Sequence, residues 1–408
     1  MASHHPTPAG SPLDLSKWAK VPALLMGVGG AGALLGAFTN HVQFGYSWLL
    51  AYMFFLSLCM GGLFLVLVHH LFDASWSVPI RRINEHLACL APVMAALWIP
   101  IGLLAPKLYR WMTSDHATDH ALHAKYPLFT MPAFYGVSIA CFVLWTFVAF
   151  RLRGLSLEQD RTGDARCTEK MRVTACAGIF IFGFSLTLAV ILWMKALAHE
   201  WFSTMYGVYY FAGSTWLTLA TVYVITVILK RRGDLKDVMQ EKQFYFLGSL
   251  FFAFTVFYAY VTFSQYFIIW NANMPEETFW YKLREKGTWF QLSLVIIFGK
   301  FFLPFLALLR IDAKLNLAVM LPLAAWAWVM HFCDMSFNIM PVLHQDGFVL
   351  HWQDVACWAF FAGALAHFWI KSYRQHPPFP QRDPRMAEGL GIYVEPVSAK
   401  KLAGQGAK

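Results

Sequence analysis

Charge is the scarcest property of this sequence. Only 13% of its 408 residues are Asp, Glu, Lys or Arg, whereas 58% are hydrophobic and 17% are aromatic. A soluble domain carries about a quarter charged residues, so this composition excludes an ordinary soluble protein. It indicates a membrane protein that crosses the bilayer several times.

Clustered cysteines are also lacking. The seven cysteines are scattered, with no CxxC, no CxxCH and no group of four. Such groups hold iron–sulfur clusters and covalently attached haem, so we expect neither cofactor in this chain. No cleavage site follows the polar residues 1–20, which predicts a cytoplasmic N-terminal segment and no signal peptide.

Long apolar runs are abundant, and each run of about 20 residues can cross a bilayer as a helix. Ten such runs occupy residues 21–39, 46–72, 86–106, 127–150, 173–197, 205–229, 243–270, 289–309, 315–333 and 353–371. The sequence therefore predicts an all-α polytopic membrane protein with ten transmembrane helices. Short connections favour antiparallel neighbours, so we expect two four-helix up-down bundles flanked by the first and last helices.

The predicted organisation has a first membrane half at 21–197 and a second at 198–371. Residues 372–408 form a Pro-rich cytoplasmic tail, predicted to be an extended strap that docks on a partner. Most of the 32 Lys and Arg residues lie in loops on the side of the termini. The positive-inside rule then places both termini in the cytoplasm, and topology explains the net charge of +9 without nucleic acid.

The stretch from Lys195 to Gly213 joins two spans and is dense in ionisable and aromatic groups. Lys195 and His199 are four residues apart, which predicts one shared helix face with Glu200 beside them. Ionisable groups at a membrane edge indicate proton or ligand traffic. The alternative is a lysine whose ammonium group reaches the interface beside solvated neighbours.

Lys300 lies near the middle of the eighth span. Inserting a charged lysine at bilayer depth costs at least about 3 kcal/mol, so we expect it to face the bundle interior. It is predicted to be a proton relay or a counterion with a carboxylate partner. The alternative is a lysine bonded to backbone groups that Pro304 leaves free.

A second set of polar residues lies in the last spans. His331 and Asp334 share a helix face, and a carboxylate beside an imidazole suits acceptance of a quinol proton. Solvated helix-end residues are the alternative. The full predicted proton pathway comprises Lys195, His199, Glu200, Tyr258, Tyr260, Gln265, Lys300, His331, Asp334 and Asp354; Trp201, His331 and Asp334 are the quinol-adjacent candidates.

Two further sets of histidines resemble cofactor or metal sites, but a structural role is favoured for both. His69 or His70 with His367 is a conceivable haem-ligand pair, although packing is favoured. His116, His120 and His123 have metal-like spacing but are predicted to form a solvated loop. We therefore expect no metal site and no catalytic residue in this chain.

Several motifs together resemble one known family. They are HEWFSTMYGVY from His199, the segment from Tyr258 to Tyr281 with SQY and NANMPEETFWY, FLPFLALLR from Phe302, and the stretch from Asp334 to Met340-Pro341. This set is similar to the second, ten-helix quinol-oxidoreductase membrane subunit of bacterial alternative complex III. Lys300 departs from the family pattern, where a histidine is expected.

The resemblance implies a fold related to the polysulfide-reductase membrane anchor, in the bacterial inner membrane. It implies a cofactor-free subunit of a quinol oxidoreductase complex that passes electrons to a cytochrome c or an oxidase. Its partners would be a sister quinol-binding subunit, an iron–sulfur subunit and haem c subunits, and this chain would contribute a proton path. An ion-coupled transporter and a subunit with its own quinol site at the outer face remain the alternatives.

Overall fold

A computed structural model describes residues 20–114 and 119–392, and throughout these ranges the regular secondary structure is helical, without strands. Within these two ranges, ten helices are long and apolar enough to cross a membrane, which confirms the predicted all-α polytopic fold. They are α1 (Lys20–Thr39), α2 (His41–Leu71), α3 (Ser75–Leu108), α4 (Met131–Thr162), α5 (Arg166–Trp193), α6 (Tyr206–Arg232), α7 (Glu241–Ala272), α8 (Gly287–Leu308), α9 (Leu317–Val342) and α10 (Trp352–Tyr373).

Local sequence signals account for several helix ends. The Asn40 side chain accepts a hydrogen bond from the Gln43 backbone and caps α2, and Thr130 caps α4 in the same way. Gly163 and Gly233 follow α4 and α6 with φ of 73° and 98°. Glycine adopts this left-handed conformation without a Cβ clash and therefore ends both helices cleanly.

The helices pack as two neighbouring groups, α2–α5 and α6–α9, and α2 and α6 form the seam between them. In their most apolar stretches, 83% of α2 and 78% of α6 is buried, against 22% of α1. The two seam helices approach each other closely at Gly61, which has no Cβ. A Cβ at this position would collide with Thr218. The predicted division after residue 197 falls in the loop between α5 and α6.

Helices α1 and α10 form an antiparallel pair at the side of the two groups. The backbones approach at Gly29, where a Cβ would collide with Phe360, and at Gly363, where it would collide with Met26. Small residues permit such close packing in lipid. The pairing places Lys20 and Tyr373 at one end of the molecule, here called the terminal end, and Thr39 and Trp352 at the opposite end.

The terminal end departs from the sequence-based prediction. Helix α3 begins at Ser75 instead of residue 86, and its first turns bury Arg81, Arg82 and Glu85. Arg81 Nε lies 3.0 Å from Glu85 Oε1, and Arg82 Nη1 lies 2.9 Å from Glu85 Oε2. The sequence-based prediction leaves this segment outside the span because it is charged. The contacts that neutralise these charges form only in the folded protein.

The Pro-rich tail is the other half of this arrangement. Its described part packs on its own chain, and docking on a partner stays a prediction. Asp383 pairs with both Arg81 and Arg385, and its side chain is fully buried. Tyr373 Oη donates to the Pro378 carbonyl at 2.8 Å, and Gln243 Nε2 donates to the Gly389 carbonyl at 3.0 Å. The tail is therefore a strap across the terminal end.

Candidate functional site

Lys300 lies in a six-residue π-helical stretch of α8, Ile297–Phe302, and its side chain is completely buried. Short π-helical stretches are frequent at functional sites, and this one places Lys300 towards α9. The ammonium nitrogen lies 2.5 Å from Asp334 Oδ2. Asp334 therefore supplies the carboxylate that a buried lysine requires.

His331 lies one turn before Asp334 on α9, as their spacing predicts. Its imidazole does not contact the Asp334 carboxylate directly, because Lys300 Nζ lies between them, 3.4 Å from His331 Nδ1. The other ring nitrogen, Nε2, lies 2.9 Å from Ser57 Oγ on α2. A polar connection therefore runs from α8 through α9 to α2, at the seam between the two helix groups.

The second oxygen of Asp334 is bound by two tyrosines that belong to different helices. Tyr258 Oη donates to Oδ1 at 2.8 Å, and Tyr209 Oη donates to the same oxygen. Asn338 Nδ2 donates to Tyr209 Oη at 2.7 Å, and Tyr206 Oη donates to Asn338 Oδ1 at 2.8 Å. We call Ser57, Tyr209, Tyr258, Lys300, His331, Asp334 and Asn338 the Lys300 cluster.

Sequence reasoning missed three members of this cluster: Ser57, Tyr209 and Asn338. Asn338 had a usable signal, because it lies four residues after Asp334 and therefore on the same helix face. Tyr209 lies within the aromatic stretch that opens α6. Ser57 had no signal, since a serine in an apolar span usually bonds to its own helix, as it does here to the Met53 carbonyl.

The cluster joins one buried cation to one carboxylate, surrounded by groups that both donate and accept hydrogen bonds. Lys300 Nζ also lies 3.9 Å from the centroid of the Tyr258 ring, a cation–π distance. Hydroxyl, carboxylate, ammonium and imidazole groups in contact can pass a proton by exchanging hydrogen bonds. The arrangement is thus chemically suited to proton transfer through an otherwise apolar bundle.

A lateral cavity of about 450 Å³ leads to this cluster. It lies between α7 and α8, next to the short helix Pro275–Arg284, and its inner wall includes Tyr258, Asp334 and Asn338. Its rim includes Phe263 and Phe302, which are 64% and 42% exposed. The cavity therefore opens on the apolar surface of the molecule and reaches Asp334 from there.

A search for matching protein families finds none, and no curated protein matches the chain.

Gln265 and Trp201 lie at the wall of the lateral cavity and behind it, respectively. Gln265 lines the cavity, accepts a hydrogen bond from Ser203 Oγ at 2.7 Å and donates to Tyr281 Oη at 3.1 Å. Trp201 is buried and stacks on Trp280, with ring centroids 4.5 Å apart. Gln265 is thus placed to contact a ligand in the cavity, whereas Trp201 supports its wall from behind.

The structure places Tyr260 outside the predicted pathway. The sequence groups it with Tyr258, yet it is 64% exposed on the apolar surface while Tyr258 is buried. Two residues along an α-helix correspond to roughly 200°, so neighbouring alternate positions cannot face the same way. The structure brings Tyr258 into the Lys300 cluster and leaves Tyr260 outside it.

Asp354 belongs to a separate polar group at the start of α10. Its Oδ1 accepts a hydrogen bond from Ser47 Oγ at 2.5 Å, and its Oδ2 accepts one from the His351 backbone at 2.9 Å. Gln43 Nε2 lies 3.4 Å from the same Oδ1. These contacts give Asp354 a helix-capping role, and within the described residues they do not extend to Lys300.

The predicted Lys195–His199 helix face is also wrong, because α5 ends at Trp193 and residues Lys195–Ala198 form a 3-10 turn. His199 Nε2 lies 2.7 Å from Asp119 Oδ2, and Glu200 is exposed. Lys195 is buried over the ring of Phe129. These residues form a group of their own at the opposite end.

His69 is engaged in a way that leaves no nitrogen for haem iron. Its Nδ1 lies 2.6 Å from Ser77 Oγ, and its Nε2 lies 3.0 Å from Arg81 Nη1. His120 and His123 lie in a short helix, His120–His123, whereas His116 lies outside the described residues. Across residues 20–114 and 119–392 no three His, Cys, Asp or Glu side chains are grouped to hold a metal ion.

Lys195 gives a pH prediction for this end. Burial, followed by the adjacent Lys125 ammonium, lowers the pKa of Lys195 to about 7. The unfolded chain, with a lysine pKa of about 10.4, then binds more protons above pH 7, so stability rises with pH there. In phosphate-free buffer we expect the unfolding midpoint to rise between about pH 7 and 9, and Lys195→Met to flatten this rise.

Thermal unfolding in detergent at several pH values measures this effect. The matched control is Lys282→Met, because Lys282 is an exposed lysine. The slope contributed by one proton is at most about 1.4 kcal/mol per pH unit. An unchanged slope in Lys195→Met would show that Lys195 titrates normally in the folded protein.

Proposed function

We propose that this chain is a cofactor-free integral membrane subunit of a quinol:electron-acceptor oxidoreductase complex, and that it contributes a proton pathway. The observation that carries the proposal is the Lys300 cluster. It combines a fully buried Lys–Asp pair with an imidazole and two tyrosines inside an apolar bundle. Ionisable residues at such depth mark proton or ion routes in membrane proteins.

The position of the cluster supports proton movement between the two helix groups. Asp334 is reached from the lateral cavity, and His331 contacts Ser57 on α2, which is the most buried span. When Asp334 takes up a proton, the Lys300 ammonium would release one of its own protons to His331 Nδ1 and then accept the proton of Asp334 in its place, which leaves the His331 Nε2–H facing Ser57 on the central helix. Rotation of the ammonium and carboxyl groups would then restore the starting arrangement.

The remaining parts of the proposal rest on the sequence motifs and the charge distribution. The complex would lie in the bacterial inner membrane, with both termini of this chain in the cytoplasm. Electron transfer to a cytochrome c or an oxidase would be carried by iron–sulfur and haem c partner subunits. A sister membrane subunit would hold the main quinol site.

A second candidate function is a quinol site within this chain, and the lateral cavity favours it. Ligand cavities are typically about 300–1,000 Å³ and mostly apolar with a few polar groups, and this one, at about 450 Å³, lies in that range. It opens on the apolar surface and ends at Asp334 and Tyr258. A quinol head group inside it would place a hydroxyl next to a proton acceptor.

Purification from native membranes tests the proposed function directly. We expect haem and iron–sulfur spectra to accompany the chain, together with quinol-dependent reduction of an electron acceptor. A spectroscopically blank preparation of this chain alone would contradict the complex. Ion-driven solute uptake by such a preparation would identify an ion-coupled transporter.

The pair Tyr258→Phe and Tyr260→Phe tests the proton pathway within that complex. Tyr258 donates to Asp334, and hydrogen bonds to a charged group are worth about 1.5–3 kcal/mol. Loss of the lower value corresponds to a roughly tenfold fall in proton-coupled turnover, which is the result we expect. Tyr260→Phe alters the same kind of side chain on the apolar surface and should leave turnover unchanged. Equal rates in both variants would remove Tyr258 from the pathway.

A further inference from the structure

Two ammonium groups share one aromatic ring at the opposite end of the molecule. Lys125 Nζ lies 5.6 Å and Lys195 Nζ 5.3 Å from the centroid of Phe129. Burial, and after it the like charge of Lys125, lowers the pKa of Lys195. Lys195 is only 5% exposed, so water screens this like-charge contact poorly.

Lys125 is held in place by the backbone of the following loop. Its ammonium group donates to the His199 carbonyl and lies 3.5 Å from the Trp201 carbonyl. Lys195 donates no hydrogen bond to a protein acceptor in residues 20–114 and 119–392. One cation is therefore fixed by carbonyl groups, whereas the other is buried with donor capacity to spare.

Among the described residues, the nearby carboxylates do not neutralise the pair. Asp119 Oδ2 lies 2.7 Å from His199 Nε2, and its Oδ1 accepts the Leu122 backbone N–H at 3.1 Å. Glu200 is exposed and makes no salt bridge within the described residues. Both act on Lys125 only through longer-range electrostatic attraction.

We propose that Lys125 and Lys195 form a binding site for a phosphate group, supplied either by a free phosphate ion or by a phospholipid head group. A phosphate between the two ammonium groups would convert their repulsion into two charge-assisted hydrogen bonds. The site does not depend on the proposed function, because it uses none of the Lys300 cluster.

The position of the pair matches this ligand chemistry. Lys195 follows the end of α5 by two residues, and lipid phosphates lie close to the ends of spanning helices. Tyr126 and Phe202 next to the site are 71% and 48% exposed, as aromatic residues at a membrane interface commonly are. Phe129 closes the inner side, so an anion would enter between these exposed rings.

Thermal unfolding of the full chain in dodecylmaltoside tests the site at about pH 7, where the pKa of Lys195 lies. We expect sodium phosphate, compared with sodium chloride at equal ionic strength, to raise the wild-type midpoint saturably by roughly 2–4 °C. The rise should disappear in Lys195→Met and in Lys125→Met. Lys282→Met, which removes an exposed cation elsewhere, should keep it.

The source of the phosphate is decided by a parallel experiment with short-chain phosphatidylglycerol below its micellar concentration. A rise with this lipid at far lower concentration than with inorganic phosphate, together with lipid retained in native mass spectrometry, identifies a head-group site. A rise with both probes at similar concentrations identifies a free-phosphate site. Because Lys125 is half-buried, Lys125→Met keeps the test valid if Lys195→Met fails to fold.

Two outcomes would overturn the proposal. The first is a wild-type midpoint that responds to neither phosphate nor phosphatidylglycerol, which would mean that Lys195 is accommodated as a neutral amine. The second is a phosphate response that persists unchanged in both lysine variants, which would place the anion elsewhere on the molecule.

Discussion

Replacing Lys300 with methionine will lower proton-coupled turnover by roughly 10²-fold, the lower range for losing a positioned proton-transfer group. It will also destabilise the protein, because Asp334 then remains buried without its cation. Breaking one side of a buried ion pair costs about 3–5 kcal/mol. Protons released per electron in proteoliposomes, and thermal unfolding in detergent, measure the two effects.

A double variant separates stability from function. In Lys300→Met/Asp334→Asn no unpaired buried charge is left, and Tyr209 and Tyr258 keep a side-chain carbonyl as acceptor. We therefore expect most of the lost stability to return while proton transfer stays impaired. Lys286→Met, an exposed lysine just before α8, is the matched control. Normal proton release per electron in Lys300→Met would remove Lys300 from the pathway.

Substituting Asp383 by asparagine will release the strap from the terminal end. Its carboxylate is fully buried between Arg81 and Arg385, so its loss leaves two guanidinium groups with one anionic partner fewer. We expect a loss of about 3–5 kcal/mol in unfolding free energy, as for other broken buried pairs. Limited proteolysis within residues 378–392 should accelerate at the same time.

The pH dependence of this effect follows from the charge state of Asp383. Burial alone would raise its pKa, but Arg81 and Arg385 hold the pKa below the ordinary value of an aspartate. The stabilisation is therefore complete above the unfolded pKa of about 3.9 and is lost as pH falls through the folded pKa. Wild type and Asp383→Asn should converge only in strong acid.

Glu388→Gln is the control for the strap. Glu388 is an exposed acidic residue of the same segment, in the short helix Met386–Gly389 that follows Asp383 and Arg385. Surface changes of this kind usually alter stability by less than about 0.5 kcal/mol. Equal stability and equal protease resistance in Asp383→Asn and Glu388→Gln would show that the strap is held by its apolar contacts alone.

The sequence predicted the environment of some polar residues and not of others. For Lys300, the insertion cost of a charged side chain was enough to predict an inward orientation, and the side chain is fully buried. For Tyr258 and Tyr260, composition alone did not distinguish the pair, although helix geometry does. For Arg81 and Asp383, separation along the chain concealed a contact that only folding brings about.

Sequence alone determined the class of this protein and the number of its spans. The reason is that crossing a bilayer depends on local apolar length and composition, which can be read from about 20 residues at a time. The tertiary structure decided which polar groups meet. Lys300, Asp334 and Ser57 come from three helices, and their contact depends on helix rotation, the π-helical stretch of α8 and close packing at Gly61, none of which is a local property.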